Sequence, residues 1–237
     1  MLRFDNIKQG SPEWHNLKWG KIGGTLSKGL FVKSDTLLID ILSQRSEEFE
    51  LEEDGFQNSA MQRGNDLEPF ARKYLCDYTG IQFNQTGWLQ SEENELLGIS
   101  PDGISDCEKY SCEIKCFGRK AHHTVLFHNE IPLDNLAQCL HYFTVNPKLE
   151  KHFFLCFRPE ANKHFIRELT RKTVIDLGQT YKEEVKQFGV KGQEIKPKII
   201  TNSLLLEIDS WVVKSKNAAD TLLTQIKLIE LANKNNF

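Results

Sequence analysis

The 237-residue chain has no long hydrophobic run, no Cys-x-x-Cys pair and little net charge. No apolar stretch approaches the ~20 residues of a membrane-spanning helix. The first residues, Met1–Asn6, contain no apolar segment typical of a secretory signal. The missing Cys-x-x-Cys pair disfavours an iron–sulfur cluster. We therefore expect a cytoplasmic protein whose six cysteines are reduced thiols.

The net charge of -3 does not by itself indicate a nucleic-acid-binding protein. The charges are unevenly distributed, since residues 40–54 contain seven acidic residues and one arginine. Residues 148–172 contain seven Lys or Arg and three Glu. This asymmetry is compatible with one face that follows a phosphate backbone while another faces solvent. Two ordinary solvated surfaces explain it equally well.

Hydrophobic periodicity and turn residues predict one α/β or α+β domain with a central mixed sheet and no internal repeat. Ser11 is placed to cap the first helix, and Asp134 is placed to cap a later one. Pro69, inside a long helical pattern, predicts a kink or a helix start. The predicted helices span about 12–19, 34–48, 58–79, 119–128, 134–145, 171–188 and 201–233, and the predicted strands about 81–90, 95–99, 103–106, 110–116, 152–158 and 164–169.

Residues 100–115 are the most informative segment, because they place two acids and a lysine in a turn and the strand after it. Asp102 lies in a Pro-Asp-Gly turn, and Glu113 and Lys115 lie two residues apart in a predicted strand. Side chains alternate between the two faces of a strand, so Glu113 and Lys115 point the same way while Ile114 points into the core. Two carboxylates beside a lysine favour metal-assisted phosphodiester hydrolysis.

This segment predicts an oxygen-lined site for Mg²⁺ or Mn²⁺ at the edge of the sheet. The ligands would be the carboxylates of Asp102 and Glu113 and the backbone carbonyl of Ile114. Lys115 would orient or help deprotonate the attacking water, or stabilise charge on the phosphate. The alternative is an ordinary surface ion pair, since acid-x-Lys triplets occur by chance in most proteins.

Two further residues are candidates for the same site. Glu68 lies in a predicted helix directly before Pro69, and it is either a further acid of the site or a solvated helix acid. Gln138 lies in the predicted helix 134–145, beyond the strand that carries Glu113. Its amide is either a phosphate- or water-binding group or a surface side chain.

Five short motifs occur in order along the chain. They are Gln9-Gly-Ser-x-Glu-Trp-His-x-Leu-Lys-x-Gly-Lys-Ile, Arg63-Gly-x-x-x-Glu-Pro-x-Ala-Arg, Ser100-Pro-Asp-Gly, Glu113-Ile-Lys-Cys and Ala137-Gln138. In order and spacing they resemble the phage λ exonuclease family, also called the YqaJ viral recombinase family, over about residues 9–170. Each motif is weak alone, but five in sequence are specific.

The resemblance implies a restriction-endonuclease-like core of the PD-(D/E)xK nuclease superfamily. It also implies a 5′→3′ exonuclease that digests one strand of linear double-stranded DNA. The enzyme would leave a 3′ single-stranded tail for an annealing protein in phage-type recombination, in the cytoplasm of an infected or lysogenic bacterium. Two metal ions about 4 Å apart and a ring-shaped homo-oligomer would follow from the same resemblance.

The motifs also imply roles for individual residues. Asp102 and Glu113 would bind the metal, and Lys115 would be the catalytic lysine. Glu68 would be the further acid near the metals, and Gln138 the glutamine of the site. Two more positions would hold the 5′-phosphate of the DNA, namely Lys18 in the place of a basic residue and Thr25 in the place of a small hydroxyl residue.

We expect a nuclease domain over residues 1–190 and a helical extension over residues 191–237, packed on the domain or used in oligomerisation. An endonuclease on the same core, such as a restriction or branch-cleaving enzyme, is one alternative function. A catalytically silent protein that binds DNA ends is another. Intact catalytic positions disfavour the silent protein, and digestion of covalently closed circular DNA would identify the endonuclease.

Overall fold

The computed structural model describes residues 1–32, 35–50, 59–176, 180–183, 198–201 and 205–235. The helices in these ranges are α1 (Pro12–Lys18), α2 (Gly29–Val32), α3 (Asp35–Ser46), α4 (Ser59–Thr79), α5 (Arg119–His128), α6 (Leu133–Val145) and α7 (Ile208–Asn235). The strands are β1 (Leu2–Phe4), β2 (Trp88–Gln90), β3 (Gly98–Ile99), β4 (Gly103–Ile104), β5 (Tyr110–Lys115), β6 (Lys151–Cys156), β7 (Phe165–Thr170), β8 (Val174–Asp176), β9 (Thr180–Glu183), β10 (Lys198–Thr201) and β11 (Leu205–Glu207).

The central sheet is mixed and has the strand order β4-β5-β6-β7. Strand β5 runs antiparallel to β4 and parallel to β6, and β7 runs antiparallel to β6. A parallel pair needs a long crossover connection, and α5 and α6 lie within that connection. The predicted fold class, a mixed sheet flanked by helices, is confirmed.

Helices cover the two faces of this sheet, as the alternation of side chains along β5 requires. Cys112 and Ile114 pack with Ala71 and Leu75 of α4 in one core cluster. On the other face, Phe154 of β6 belongs to a larger cluster that includes buried residues of α6. Because Glu113 and Lys115 alternate with Cys112 and Ile114, they point to the α6 side.

A second sheet contains β1, β2 and β3, all antiparallel. Within the predicted strand over 81–90, only β2 is a regular strand, while Asn84 forms an isolated bridge with Ile104. The predicted strand over 95–99 is likewise reduced to β3. After α1, Ile22 forms a bridge with Leu97 next to β3. The segment after α1 therefore packs on this sheet.

The predicted helix over 171–188 is wrong for the residues that the structure describes, because β8 and β9 occupy 174–176 and 180–183. Strand β8 pairs with β11, and β9 pairs with β10. The β-branched run Thr173-Val174-Ile175 favours a strand. Residues 177–179 and 184–188 lie outside the described ranges.

The predicted helix over 201–233 begins too early, since β10 ends at Thr201, β11 spans 205–207 and α7 starts at Ile208.

Two local predictions at other helices also need correction. Of the kink or helix start predicted at Pro69, the helix start is wrong, because α4 runs through Pro69 from Ser59 to Thr79. Asp134 lies in the first turn of α6 rather than at its N-cap, which is Pro132. The predicted cap of α1 is confirmed, because the Ser11 side chain accepts a hydrogen bond from the Trp14 backbone N–H.

Helix α7 shares the main core with α6 and the central sheet. Its residues Ile208, Trp211, Ala219 and Ile226 are buried in the same cluster as Phe154 of β6. Although α7 has 28 residues, neither it nor any other helix in the described ranges is long and apolar enough to cross a membrane. The domain boundary at residue 190 stays a prediction.

We expect Ile226→Ala to lower the free energy of unfolding by about 2–5 kcal/mol, because Ile226 is fully buried and its removal leaves a cavity. Leu228→Ala is the matched control, since Leu228 lies on the same helix with 62% of its surface exposed. It should change the free energy by less than about 0.5 kcal/mol. Urea unfolding followed by circular dichroism measures both, and equal effects would contradict the packing of α7 described above.

Candidate active site

Asp102 lies in the turn directly before the short edge strand β4. At this end of β4 the neighbouring strand β5 is longer and continues to Lys115. Its Oδ2 accepts a hydrogen bond from the backbone N–H of Ile114, with a distance of 2.6 Å. The Asp102 carboxylate thus accepts the hydrogen bond that a backbone carbonyl would accept if β4 were longer. This contact fixes Asp102 beside the carboxyl end of β5.

The Glu113 side chain is buried, with 1% of its surface exposed. Its Oε1 lies 2.6 Å from Lys115 Nζ, which confirms that these side chains share a face of β5. Its Oε2 accepts a hydrogen bond from the Tyr142 hydroxyl of α6 at 2.6 Å. The Lys115 side chain is 29% exposed and forms the solvent side of this group.

The expected position at the edge of the sheet needs correction for Glu113. Strand β5 has β4 on one side and β6 on the other, so Glu113 lies on an interior strand. Only Asp102, beside the short edge strand β4, fits the expectation. The β6 partner comes 36 residues after β5 in the chain, so the local pattern around Glu113 could not show it.

Neighbouring carboxylates influence the titration of Asp102. Burial, followed by the charges of Glu113 and Glu68, raises the pKa of Asp102 well above its ordinary value. Burial alone would lower the pKa of Lys115, but the charges of Glu113 and Asp102 outweigh it and leave the pKa raised. The charges of Glu113 and Glu68 therefore lie close enough to Asp102 to oppose its ionisation.

The backbone of Ile114 faces the same region. The N–H of Phe157 donates to the Lys115 carbonyl, so Lys115 directs its backbone oxygen toward the β6 side. Neighbouring residues in a strand direct their backbone groups to opposite sides. Ile114 therefore directs its carbonyl away from β6, to the side where its N–H meets Asp102.

Glu68 approaches the site from α4, on the opposite side of the sheet from α6. Its carboxylate is hydrogen-bonded to the Arg72 guanidinium one turn later in the helix. Its charge contributes to the raised pKa of Asp102 and of Cys116, whose pKa burial raises to about 11. The structure thus brings Glu68 near Asp102, while the Glu68 carboxylate forms an ion pair with Arg72 of the same helix.

Gln138 packs against the turn that follows α1. A Cβ atom on Gly24 would lie 2.6 Å from Gln138 Cγ, so glycine is needed for this approach. The Ser27 hydroxyl donates to the Ala137 carbonyl at 3.2 Å and ties the same turn to α6. Gln138 is four residues before Tyr142, so both lie on one face of α6. Thr25, in the same turn, is exposed.

Lys18 lies at the end of α1 beside this turn. Its Nζ is 3.5 Å from the centroid of the Trp14 ring, in a cation–π contact. A Cβ atom on Gly23 would lie 4.0 Å from Lys18 Cε. Burial lowers the pKa of Lys18 to about 8. The turn over residues 23–25 therefore lies next to both Lys18 and Gln138. Helix α6, which carries Gln138, also contacts Glu113 through Tyr142.

Tyr142 is a part of the site that the sequence motifs do not indicate. Its ring is buried and stacks on His152, with 4.5 Å between the ring centroids. Two signals were available: Tyr142 lies four residues after Gln138, and a buried tyrosine hydroxyl needs a hydrogen-bond partner. Neither signal identifies Glu113 as that partner.

The groups predicted to bind the metal are all oxygen donors. Within the ranges that the structure describes, no three His, Cys, Asp or Glu side chains cluster closely enough to hold a metal ion by themselves. The donors beside Lys115 are the carboxylates of Asp102 and Glu113 together with the Ile114 carbonyl. An all-oxygen set of this kind fits a hard divalent cation such as Mg²⁺ or Mn²⁺.

The model of the YqaJ-like viral recombinase domain matches residues 13–148, more than half of the chain. This range contains Lys18, Asp102, Glu113, Lys115 and Gln138. The chain belongs to the YqaJ-like viral recombinase family. The resemblance that the five motifs predicted is therefore confirmed.

Solved structures show the same architecture for this member of the YqaJ-like family. An alkaline exonuclease (LHK-Exo) from Laribacter hongkongensis is 17% identical, with a TM-score of 0.69 over 95% of this chain and 97% of that chain. The structure of LHK-Exo in complex with dAMP gives the same values. At this identity the similarity shows the shared fold. No curated protein matches the chain.

We expect Tyr142→Phe to lower the free energy of unfolding by about 1.5–3 kcal/mol, because it leaves one oxygen of a buried carboxylate without its donor. Tyr78→Phe is the matched control, since Tyr78 on α4 is 65% exposed, and it should change stability by less than about 0.5 kcal/mol. Chemical denaturation measures both. A Tyr142→Phe variant as stable as the control would contradict the hydrogen bond to Glu113.

Proposed function

We propose that this chain is a divalent-metal-dependent DNA exonuclease that digests one strand of linear double-stranded DNA in the 5′→3′ direction. The product would be a duplex with a 3′ single-stranded tail, suited to phage-type homologous recombination. The main support is the convergence of Asp102, Glu113 and Lys115 at one end of the central sheet. Membership of the YqaJ-like viral recombinase family supports the same class of reaction.

Asp102, Glu113 and the Ile114 carbonyl would hold the cation, with Glu68 as a further acid nearby. Nucleases of this family generally use divalent cations, and we propose two Mg²⁺ or Mn²⁺ ions for this chain. When bound, such an ion lowers the pKa of a coordinated water and offsets negative charge on the scissile phosphate. The carboxylates around Asp102 support this assignment, because a bound cation would offset the repulsion between their charges.

Lys115 supplies the positive side chain of the reaction centre. Its ammonium is held 2.6 Å from Glu113 Oε1, and its remaining N–H groups are available to a water or a phosphate oxygen. A donor fixed in place before the reaction stabilises developing charge without the cost of reorganisation. Tyr142 keeps the Glu113 carboxylate from rotating, because it engages the second oxygen.

The DNA end would lie against the turn after α1. We assign the 5′-phosphate to the Lys18 ammonium and the Thr25 hydroxyl, with the Gln138 amide between this turn and the carboxylates. Helix α6 supports this arrangement, because it contacts the turn through Gln138 and the carboxylates through Tyr142. A fixed spacing between the end-binding group and the reaction centre would release one nucleotide at a time.

The products and partners form part of the same proposal. LHK-Exo, which shares the fold, has been solved with dAMP, a nucleoside monophosphate. We propose nucleoside 5′-monophosphates as the products of this chain. A ring-shaped homo-oligomer and a single-strand annealing protein are the proposed assembly and partner.

Lys115→Ala and Asp102→Asn should each lower the rate of nucleotide release from linear duplex DNA by about 100-fold or more, because each removes a charge at the reaction centre. Lys109→Ala is the matched control, since Lys109 is exposed, precedes β5 and pairs with Glu150. Its rate should match that of the wild type. The assay follows acid-soluble label released from end-labelled DNA in the presence of Mg²⁺.

Covalently closed circular DNA distinguishes the alternatives in the same assay. The proposed exonuclease leaves it intact and degrades the linear form. If the chain cuts the circle, it is an endonuclease and not the proposed exonuclease. If the wild type neither releases nucleotides with Mg²⁺ or Mn²⁺ nor cuts the circle, the proposed function is wrong and the silent end-binding protein is the remaining alternative.

The preference for 5′-phosphorylated over 5′-hydroxyl ends should fall as the pH rises through about 8, because burial lowers the pKa of Lys18 to about 8. Below this pH the ammonium is charged and attracts phosphate, whereas at pH 9 only about a tenth remains charged. The ratio of KM values for the two ends measures the preference. Lys18→Arg, which stays charged, should keep it at pH 9. A wild-type ratio that does not change from pH 7 to 9 would rule out Lys18 as the phosphate-binding group.

A further inference from the structure

Side chains from the N-terminal segment hold the turn that carries Asp102. The Gln9 amide donates to the carbonyls of Thr86, at 2.7 Å, and Pro101, at 3.0 Å. Pro101 has no backbone N–H, and Asp102 precedes the first residue of β4, so this turn lies outside the hydrogen-bond ladder of the sheet. Its position therefore depends on donors from other parts of the chain.

Trp14 of α1 supplies a second donor to the same turn. Its indole Nε1–H lies 2.8 Å from Ser100 Oγ and 3.2 Å from the Gly87 carbonyl. The Ser100 hydroxyl in turn donates to the Gly87 carbonyl at 2.7 Å. Trp14, Ser100 and Gly87 thus form a closed set of hydrogen bonds two residues before Asp102.

The ring of Trp14 also contacts Lys18, which the proposed function assigns to the DNA end. The Lys18 ammonium lies 3.5 Å from the ring centroid, four residues after Trp14 in α1. One side chain therefore touches both ends of the proposed site: its edge holds the Asp102 turn, and its face holds the Lys18 ammonium.

We propose that Trp14 is a positioning residue that fixes the distance between the DNA-end group Lys18 and the metal-binding carboxylate Asp102. This inference rests on the proposed function, because it assigns Trp14 a task in that reaction. The indole N–H acts through Ser100 on Asp102, and the ring face acts on Lys18. The two tasks are separable by substitution.

Trp14→Phe keeps a ring beside Lys18 and removes the N–H. We expect the Kd for Mn²⁺, measured by isothermal titration calorimetry on the full chain, to rise about tenfold, as for the loss of groups that orient metal ligands. The KM for 5′-phosphorylated ends should stay unchanged. Trp14→Leu removes the ring as well, and it should also weaken the preference for 5′-phosphorylated ends about two- to fivefold.

Trp19→Phe is the matched control. The indole N–H of Trp19 donates to the Glu47 carbonyl at 3.1 Å, so this variant also loses one tryptophan hydrogen bond, but away from Asp102. Its Kd for Mn²⁺ should equal that of the wild type. Ser100→Ala removes the nearer of the two acceptors of the Trp14 indole N–H without changing any ring, and it should reproduce the tenfold rise even if Trp14→Phe folds poorly.

The outcomes separate this inference from the proposed function. If the wild type binds Mn²⁺ and degrades linear DNA while Trp14→Phe and Ser100→Ala bind Mn²⁺ as tightly, the positioning role is wrong and the proposed function stands. A rise in Kd that Trp19→Phe shares would also overturn it, since a general loss of stability would then explain the effect. A wild type that neither binds Mn²⁺ nor degrades DNA would overturn both.

Discussion

The buried charge of Glu113 is the constraint on which the site depends. A carboxylate removed from water is strongly unfavourable unless its oxygens are paired. Lys115 of the same strand engages one oxygen, and Tyr142 of α6 engages the other. The second contact fixes α6 against β5, and α6 in turn holds the turn after α1 through Gln138. One buried charge thus determines how three separate segments meet.

The local part of this arrangement could be predicted from the sequence. Alternation along a strand is a property of the backbone, so the shared face of Glu113 and Lys115 followed from their spacing and was confirmed. The contact with Tyr142 could not be predicted, because it joins residues 29 positions apart. The catalytic and binding roles given to these residues stay predictions.

The wrong helix predictions in the C-terminal part also come from contacts between residues that are far apart in the chain. The segment 171–188 is predicted as a helix, yet Val174–Asp176 is a strand because β11, about 30 residues later, pairs with it. Strand pairing of this kind depends on a partner that local periodicity does not show. Arg171, just before β8, donates to the carbonyls of Leu149 and Asn146 near the end of α6. These long-range contacts do not show in the local pattern from which a helix is predicted.

The two carboxylates of the site are held by different means, and this difference has a consequence for binding a cation. Glu113 belongs to an interior strand, and its backbone lies in the parallel ladder with β6, opposite Phe154. Asp102 belongs to a turn, and its position depends on side-chain donors from remote segments, including Gln9. A ligand fixed by the sheet cannot adjust to an ion, whereas a ligand on a tethered turn can. Accommodation of a cation would therefore fall on the Asp102 turn, and the contacts that tether this turn would set the affinity.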